Sequence, residues 1–303
     1  MAARHGGPGE GVYLVNPRQM AVNKPRNIDD ADLVEGVLGA EFPVTQPTEM
    51  SYLLQRIRLA EISRSIVDNP DTMTVDAELG QMISEIPAFL NMDSYEGTGT
   101  NVTHSSSGIF VQAYLLNSIL HTLRCKLHLG YLNNSTRSNN DSTENSTSSR
   151  EICLASARRI IHAEAQLERR QHPFALIRLR LSGIMYGVFM AGIVLLMDVC
   201  VNATNGEQEG DEIEMRRSEA FQALHIIENA TSHSLAAANL HDSLVRVLDK
   251  HRAQQQEKAQ DFVPESAFLP HGNQLAQSLE ELMDFDGFQW DDLFSGGSST
   301  SFF

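Results

Sequence analysis

The sequence predicts an all-α protein, a multi-helix domain over roughly residues 48–251 with non-helical segments at both ends. Three observations carry this expectation. Apolar residues recur at spacings of three and four in several long segments, the repeat of a helix with a buried stripe. The 17 residues Leu181 to Met197 contain no charge, a run too long for a strand. No strand-like alternation of apolar and polar residues occurs anywhere in the chain.

Residues 1–47 hold Gly6, Gly7, Pro8, Gly9, Pro17, Pro25, Pro43 and Pro47 and show no periodicity, so they read as an extended, disordered lead-in. Thr48 then stands as an N-cap before a helix with two adjacent apolar faces, one of Leu53, Ile57 and Ala60, the other of Leu59, Ile62 and Ile66. Asn69-Pro70 stops it. A second helix from about Thr74 carries Leu79, Met82, Ile83 and Ile86 and ends at Pro87. After a Gly/Thr-rich link, the segment from Gly108 to Leu132 is long and apolar enough to be a buried helix. Residues 133–149, without one apolar side chain, form a low-complexity solvated loop.

The stretch Cys153 to Cys200 follows. Its first half mixes Ile160, Ile161, Ala165 and Leu167 with Arg158, Arg159, Glu164, Glu168, Arg169 and Arg170, an amphipathic helix. Its second half is the uncharged run, and a helix apolar on every side must be surrounded by other helices or by lipid. Arg178 and Arg180 lie one turn before the run, Asp198 follows it at once, and Tyr186 and Phe189 fall inside it; a membrane span places such aromatics at its ends. The soluble, buried reading is therefore preferred to a membrane anchor through residues 181–197. Asn202 to Gly210 is a polar turn, Ile213 to His251 is helical, and residues 252–303 are a disordered acidic tail.

The net charge of −16 argues against direct contact with DNA phosphates, which takes clustered Lys and Arg. From Asp261 onward there are eight acidic residues and no Lys or Arg. Within this tail, residues 279–294 (LEELMDFDGFQWDDLF) interleave six carboxylates with apolar side chains. The carboxylates keep the aromatics solvated, and Phe285, Phe288, Trp290, Leu293 and Phe294 can dock in a partner's apolar groove. These five are the candidate partner-binding residues. In HTLRCKLH, His121, Cys125 and His128 recur on one helical face, a spacing zinc can use, but no fourth ligand is visible, and packed core residues are the preferred reading. His225, His233 and His241 recur every eight residues, a drift around the helix that selects no site. There is no Gly-rich phosphate loop, no GxSxG and no HExxH, so no enzyme activity, catalytic residue, cofactor or metal is expected.

The segments PRNIDDADL (25–33), PTEMSYLLQRIRLAEISRSIVD (47–68), ARRIIHAEAQLERRQHPFA and LRLSGIMYGVFMAGIVLLMDVC resemble the middle homology region of fungal zinc binuclear cluster transcription factors. The likeness runs from about Tyr13 to Leu248. It implies an all-α regulatory domain of a nuclear regulator of RNA polymerase II transcription. Its partners would be coactivator or mediator-type proteins, recruited here by an activation-like tail. The family's zinc sits in a six-cysteine cluster that this sequence lacks, its only cysteines being Cys125, Cys153 and Cys200, so neither zinc nor DNA contact transfers to any residue here. The alternative is a truncated paralogue or gene fragment that works as an interaction protein, pairing with itself or with a full-length factor.

Overall fold

The computed structural model describes residues 22–33, 41–68, 71–96, 107–132, 143–204, 211–242 and 245. Among them every regular element is helical, as the periodicity predicts. The helices are α1 (Ser51–Asp68), α2 (Thr72–Glu85), α3 (Ser107–Leu132), α4 (Thr143–Arg169), the single turn α5 (Phe174–Ile177), α6 (Ser182–Thr204), α7 (Asp211–Ala230) and α8 (235–242). Two 3₁₀ turns, Ala88–Leu90 and Met92–Tyr95, join α2 to the segment before α3.

α3 is the divider. Along one side Leu116, Ile119, Leu120 and Leu123 pack with Leu59 and Ile62 of α1 and Val75, Leu79 and Met82 of α2. The other side, with Phe110, Ala113, Tyr114, Cys125 and Leu129, meets α4 and α6. α3 and α4 run antiparallel, since Tyr114 bonds Glu164 and Asn117 bonds the Arg159 carbonyl, while the thiols of Cys125 and Cys153 reach each other's carbonyl oxygens at 3.6 Å.

The uncharged run lies in α6, whose residues Met185, Val188, Met190, Ala191, Ile193 and Val194 are fully buried. Among the described residues no single helix is long and apolar enough to cross a membrane. Residues Phe174–Arg180 and Ser182–Asp198 reach that length only together, and they are bent by 84°. Within the run, residues 184–195 are all buried, covered by α3, α4 and α7. The closest approach is at Gly187, where an added Cβ would sit 2.5 Å from Thr122 Oγ1 of α3.

The bend has a specific anchor. α4 ends at a left-handed residue, Gln171 (φ 48°), with His172 N bonding Leu167 O and Gln171 N bonding Glu168 O, a Schellman-type stop. The chain then turns through α5 and places Arg178, 2% exposed, back on α4. Its guanidinium donates to Glu164, to Glu168 at 2.6 Å and to the Ala175 carbonyl, and Tyr114 donates to the same Glu164. Burial pushes the Glu164 carboxyl up, and Arg178 opposes this. Burial works against the Arg178 charge, yet Glu164 more than offsets it and raises the group.

Four expectations are corrected or sharpened. The loop 133–149 is shorter than its composition suggests, because α4 begins at Thr143 and Ser149 is fully buried. Residues Thr143–Ser149 belong to this helix, and Ser149 Oγ lies 4.0 Å from Met73 Sδ of α2. In α1 the buried face is Leu59, Ile62 and partly buried Ile66; Leu53 is 45% exposed, since α2 and α3 cover only one side. The helix expected over 213–251 is interrupted at 231–234, where Thr231 Oγ1 returns to the Glu228 carbonyl and Ser234 caps α8 through its bond from Ala237 N. The lead-in is also tied down in part. Asn27, 1% exposed, donates to the carbonyls of Phe42, Pro43 and Gln46 and accepts from the hydroxyls of Thr48 and Ser51. Thr48 itself heads the turn before α1, accepting from Met50 N at 3.2 Å.

Two substitutions test this packing. Gly187→Ala should lower unfolding free energy by about 1–2 kcal/mol, because overpacking against Thr122 exceeds the ~1 kcal/mol gained in helix propensity; Thr122→Ala in the same chain should recover most of it, read by urea denaturation. Arg178→Met should cost about 3–5 kcal/mol by stranding a buried carboxylate. The triple variant Tyr114→Phe, Glu164→Leu, Arg178→Met should regain most of that loss if an uncompensated charge is its cause.

Candidate functional site

The five partner-binding candidates, Phe285, Phe288, Trp290, Leu293 and Phe294, lie outside the described residues. What the structure places are the chemically suggestive residues of the helical domain, above all those of HTLRCKLH.

His121, Cys125 and His128 share one face of α3, yet they are spread along about 10 Å of helix at 1.5 Å per residue, so each meets a different neighbour. His128 Nε2 lies 3.0 Å from Asp76 Oδ1 of α2. The same carboxylate takes two bonds from Arg124, at 2.6 and 2.7 Å. Burial works to raise the Asp76 carboxyl, but Arg124 and His128 together outweigh it and hold the group well below the usual carboxylate range. Cys125 pairs with Cys153, and that hydrogen bond together with burial pushes its thiol well above the usual range, so it is no nucleophile. Among the described residues no three His, Cys, Asp or Glu side chains are arranged to hold a metal ion.

His121 points elsewhere, to a cavity of about 250 Å³ between the end of α2, the two 3₁₀ turns, α3 and α4. Ile83, Ile86, Leu90 and Leu120 form part of its apolar wall. Asn117, His121, Arg124, Ser156, Arg159 and Asp93 supply its polar groups. Two buried polar atoms here, His121 Nδ1 and Ser156 Oγ, have no hydrogen-bond partner within the protein. Arg159 pairs with Asp93 at the rim, both about half exposed, and its carbonyl accepts from Asn117. Burial, with the nearby charges of Arg124 and Arg159, pushes the His121 imidazole down to about 3. It is therefore neutral near pH 7 and keeps one donor and one acceptor nitrogen. An adjacent depression of about 510 Å³ shares Ala155 and Arg159, but its charged groups are paired, Arg158 with Glu219 and His162 with Glu96.

The periodicity of α3 identified His121 as a residue of note. Ser156 and Arg159 are legible in the sequence only as polar positions on an amphipathic helix. That they meet His121 depends on the α3–α4 register, which no local signal states. Of the three other histidines of note, His225 lies near Glu228, His241 near Asp242, and His233 is exposed.

A buried histidine that resists protonation makes stability depend on pH. The unfolded imidazole takes up a proton near its ordinary value of 6.5, whereas the folded one does so only at about 3. The unfolded state thus binds more protons in between, and stability present above pH 6.5 is lost progressively as pH falls toward 3. Asp76 contributes separately and lower, below its unfolded value of 3.8. In urea titrations across this range, His121→Asn should show a flatter decline between pH 6.5 and 4 than the unsubstituted protein.

Comparison with known proteins adds a lineage to this geometry. No family model matches the chain, and no solved structure does. The chain is 34% identical over 266 residues to a probable transcription factor, lepB, of Aspergillus flavus, covering 83% of this chain and 45% of that protein. It is 25% identical over 244 residues to the agnestins biosynthesis cluster transcription factor AgnL11 of Paecilomyces divaricatus, covering 76% and 33%. It is 41% identical over 85 residues to the transcription factor TAS2 of Pyricularia oryzae, covering 27% and 11%. The chain spans less than half the length of the curated relatives it matches. By sequence it is a relative of fungal transcription factors, similar to them over most of its own length.

Proposed function

We propose that this chain is the helical regulatory portion of a fungal transcription regulator that acts in the nucleus on RNA polymerase II genes. Its acidic tail recruits a coactivator or mediator-type protein. The observation that carries the reading is the 34% identity to a probable transcription factor across 83% of the chain. The all-helical core with its two apolar clusters supports a role as a scaffold. The tail supports recruitment through composition: eight carboxylates without a cation, interleaved with Phe285, Phe288, Trp290, Leu293 and Phe294. The acidic residues keep the segment solvated and steer it to a basic partner surface, and the aromatics supply the contact area.

The test tethers residues 261–303 to an unrelated DNA-binding domain upstream of a reporter. Reporter output should rise well above the untethered control. Replacing Phe285, Phe288, Trp290, Leu293 and Phe294 by Ala should reduce it by about tenfold or more, the scale on which buried aromatic anchors act. An inert tail removes the recruitment proposal. If the tail is inert while the chain co-purifies with a full-length factor of the same family, pairing replaces recruitment as its mode of action.

A further inference from the structure

The cavity beside His121 combines features that packing alone does not account for. A buried polar atom without a partner costs about 1–3 kcal/mol, and here His121 and Ser156, two residues that line one space, each carry one, Nδ1 and Oγ. That space, about 250 Å³, exceeds the cavity of about 150 Å³ that admits benzene in an engineered protein. Its walls are of two kinds. Ile83, Ile86, Leu90 and Leu120 are apolar, whereas Arg124 and Arg159 bring guanidinium groups.

Neither arginine is fully used. Arg124 gives Nε and Nη2 to Asp76 and has five N–H donors in all. Arg159 meets Asp93 through Nη1 where the two side chains are 47% and 45% exposed, and ion pairs that open to water contribute about 0–1 kcal/mol. A second carboxylate can therefore take up the Arg159 fork at little cost, with the bidentate geometry that guanidinium favours.

We propose that this cavity is a binding site for a small carboxylic acid that carries a hydroxyl or carbonyl group on an apolar body. The carboxylate sits at the rim on Arg159, the body lies against Ile83, Ile86 and Leu90, and the second polar group bonds His121 Nδ1 and Ser156 Oγ. His121 suits either partner, because the neutral imidazole can donate or accept, and Ser156 can turn its hydroxyl to match. The walls come from the α2 end, the 3₁₀ turns, α3 and α4, so a bound acid ties both apolar clusters together. The site does not depend on the tail or on any role assigned to it.

The test uses the full chain with 4-hydroxybenzoate and 2-hydroxy-4-methylpentanoate as probes, and 4-cresol as a control without a carboxylate. Thermal unfolding and titration calorimetry read the binding. At least one acid should raise the unfolding midpoint and give saturable heat, and 4-cresol should do neither. Arg159→Gln, at a half-exposed position that tolerates change, should weaken the acid by about tenfold, the scale of one lost charge-assisted bond. Ser156→Val, which fills the inner end, should weaken it similarly. The proposal is overturned if neither acid shifts the midpoint, if 4-cresol binds as well as the acids, or if affinity is unchanged in both variants.

Discussion

From Gly183 to Met197 the helix α6 is apolar on every side, and that single constraint organises the molecule. An unbroken apolar surface cannot face water without losing roughly 25 cal/mol for each Å² left uncovered, so other helices must enclose it. α3, α4 and α7 do so, and their own apolar faces are buried in the act. The enclosure is tight enough that Gly187 has no room for a Cβ beside Thr122. At Gly192 an added Cβ would lie 3.4 Å from Ala223 Cβ on α7, so the tight approach is at Gly187. The larger Met185, Met190, Ile193 and Leu195 are buried along the same helix.

Enclosing α6 requires the chain to turn sharply before it, and the turn is held by charge. Arg178 is anchored on Glu164 and Glu168 of α4, with Tyr114 of α3 completing the set. Buried ion pairs add little net stability because both partners lose water, but they admit few alternative arrangements. Here the arrangement sets the angle at which α6 enters the core. The Asp76 site performs a similar service for the first cluster, joining α2 to α3 through Arg124 and His128. Arg150 with Asp198 and Arg158 with Glu219 extend the same principle from α4 to α6 and α7. Hydrophobic area supplies the drive to collapse, and these few polar links choose among the ways of collapsing.

Much of the helix content was legible because a 3.6-residue repeat is a local property. Leu79 and Met82 in α2, and the faces of α3, were readable from spacing alone. The failures share one cause. Leu53 and Leu59 belong to equally apolar faces of α1, and only the positions of α2 and α3 make the second one interior. Thr143 to Ser149 are polar and look like loop, yet they open α4, with Ser149 buried near Met73 of α2. The cavity shows the same limit. His121 was identified as notable, but Ser156 and Arg159 acquire meaning only through the antiparallel register of α3 and α4.

The sequence by itself determined the helical class, the need to bury residues 181–197 and the interleaving of acidic and aromatic side chains in residues 279–294, since each follows from composition or from a period of a few residues. Only the tertiary structure decided which apolar faces are interior, how the chain bends between Phe174 and Ser182, and that His121 and Ser156 face one cavity with no partner of their own. The physical reason is range. Periodicity is set by neighbours within two helical turns, whereas enclosure, ion pairing and cavities are set by residues tens of positions apart, such as Asp76 and Arg124 or Tyr114 and Glu164.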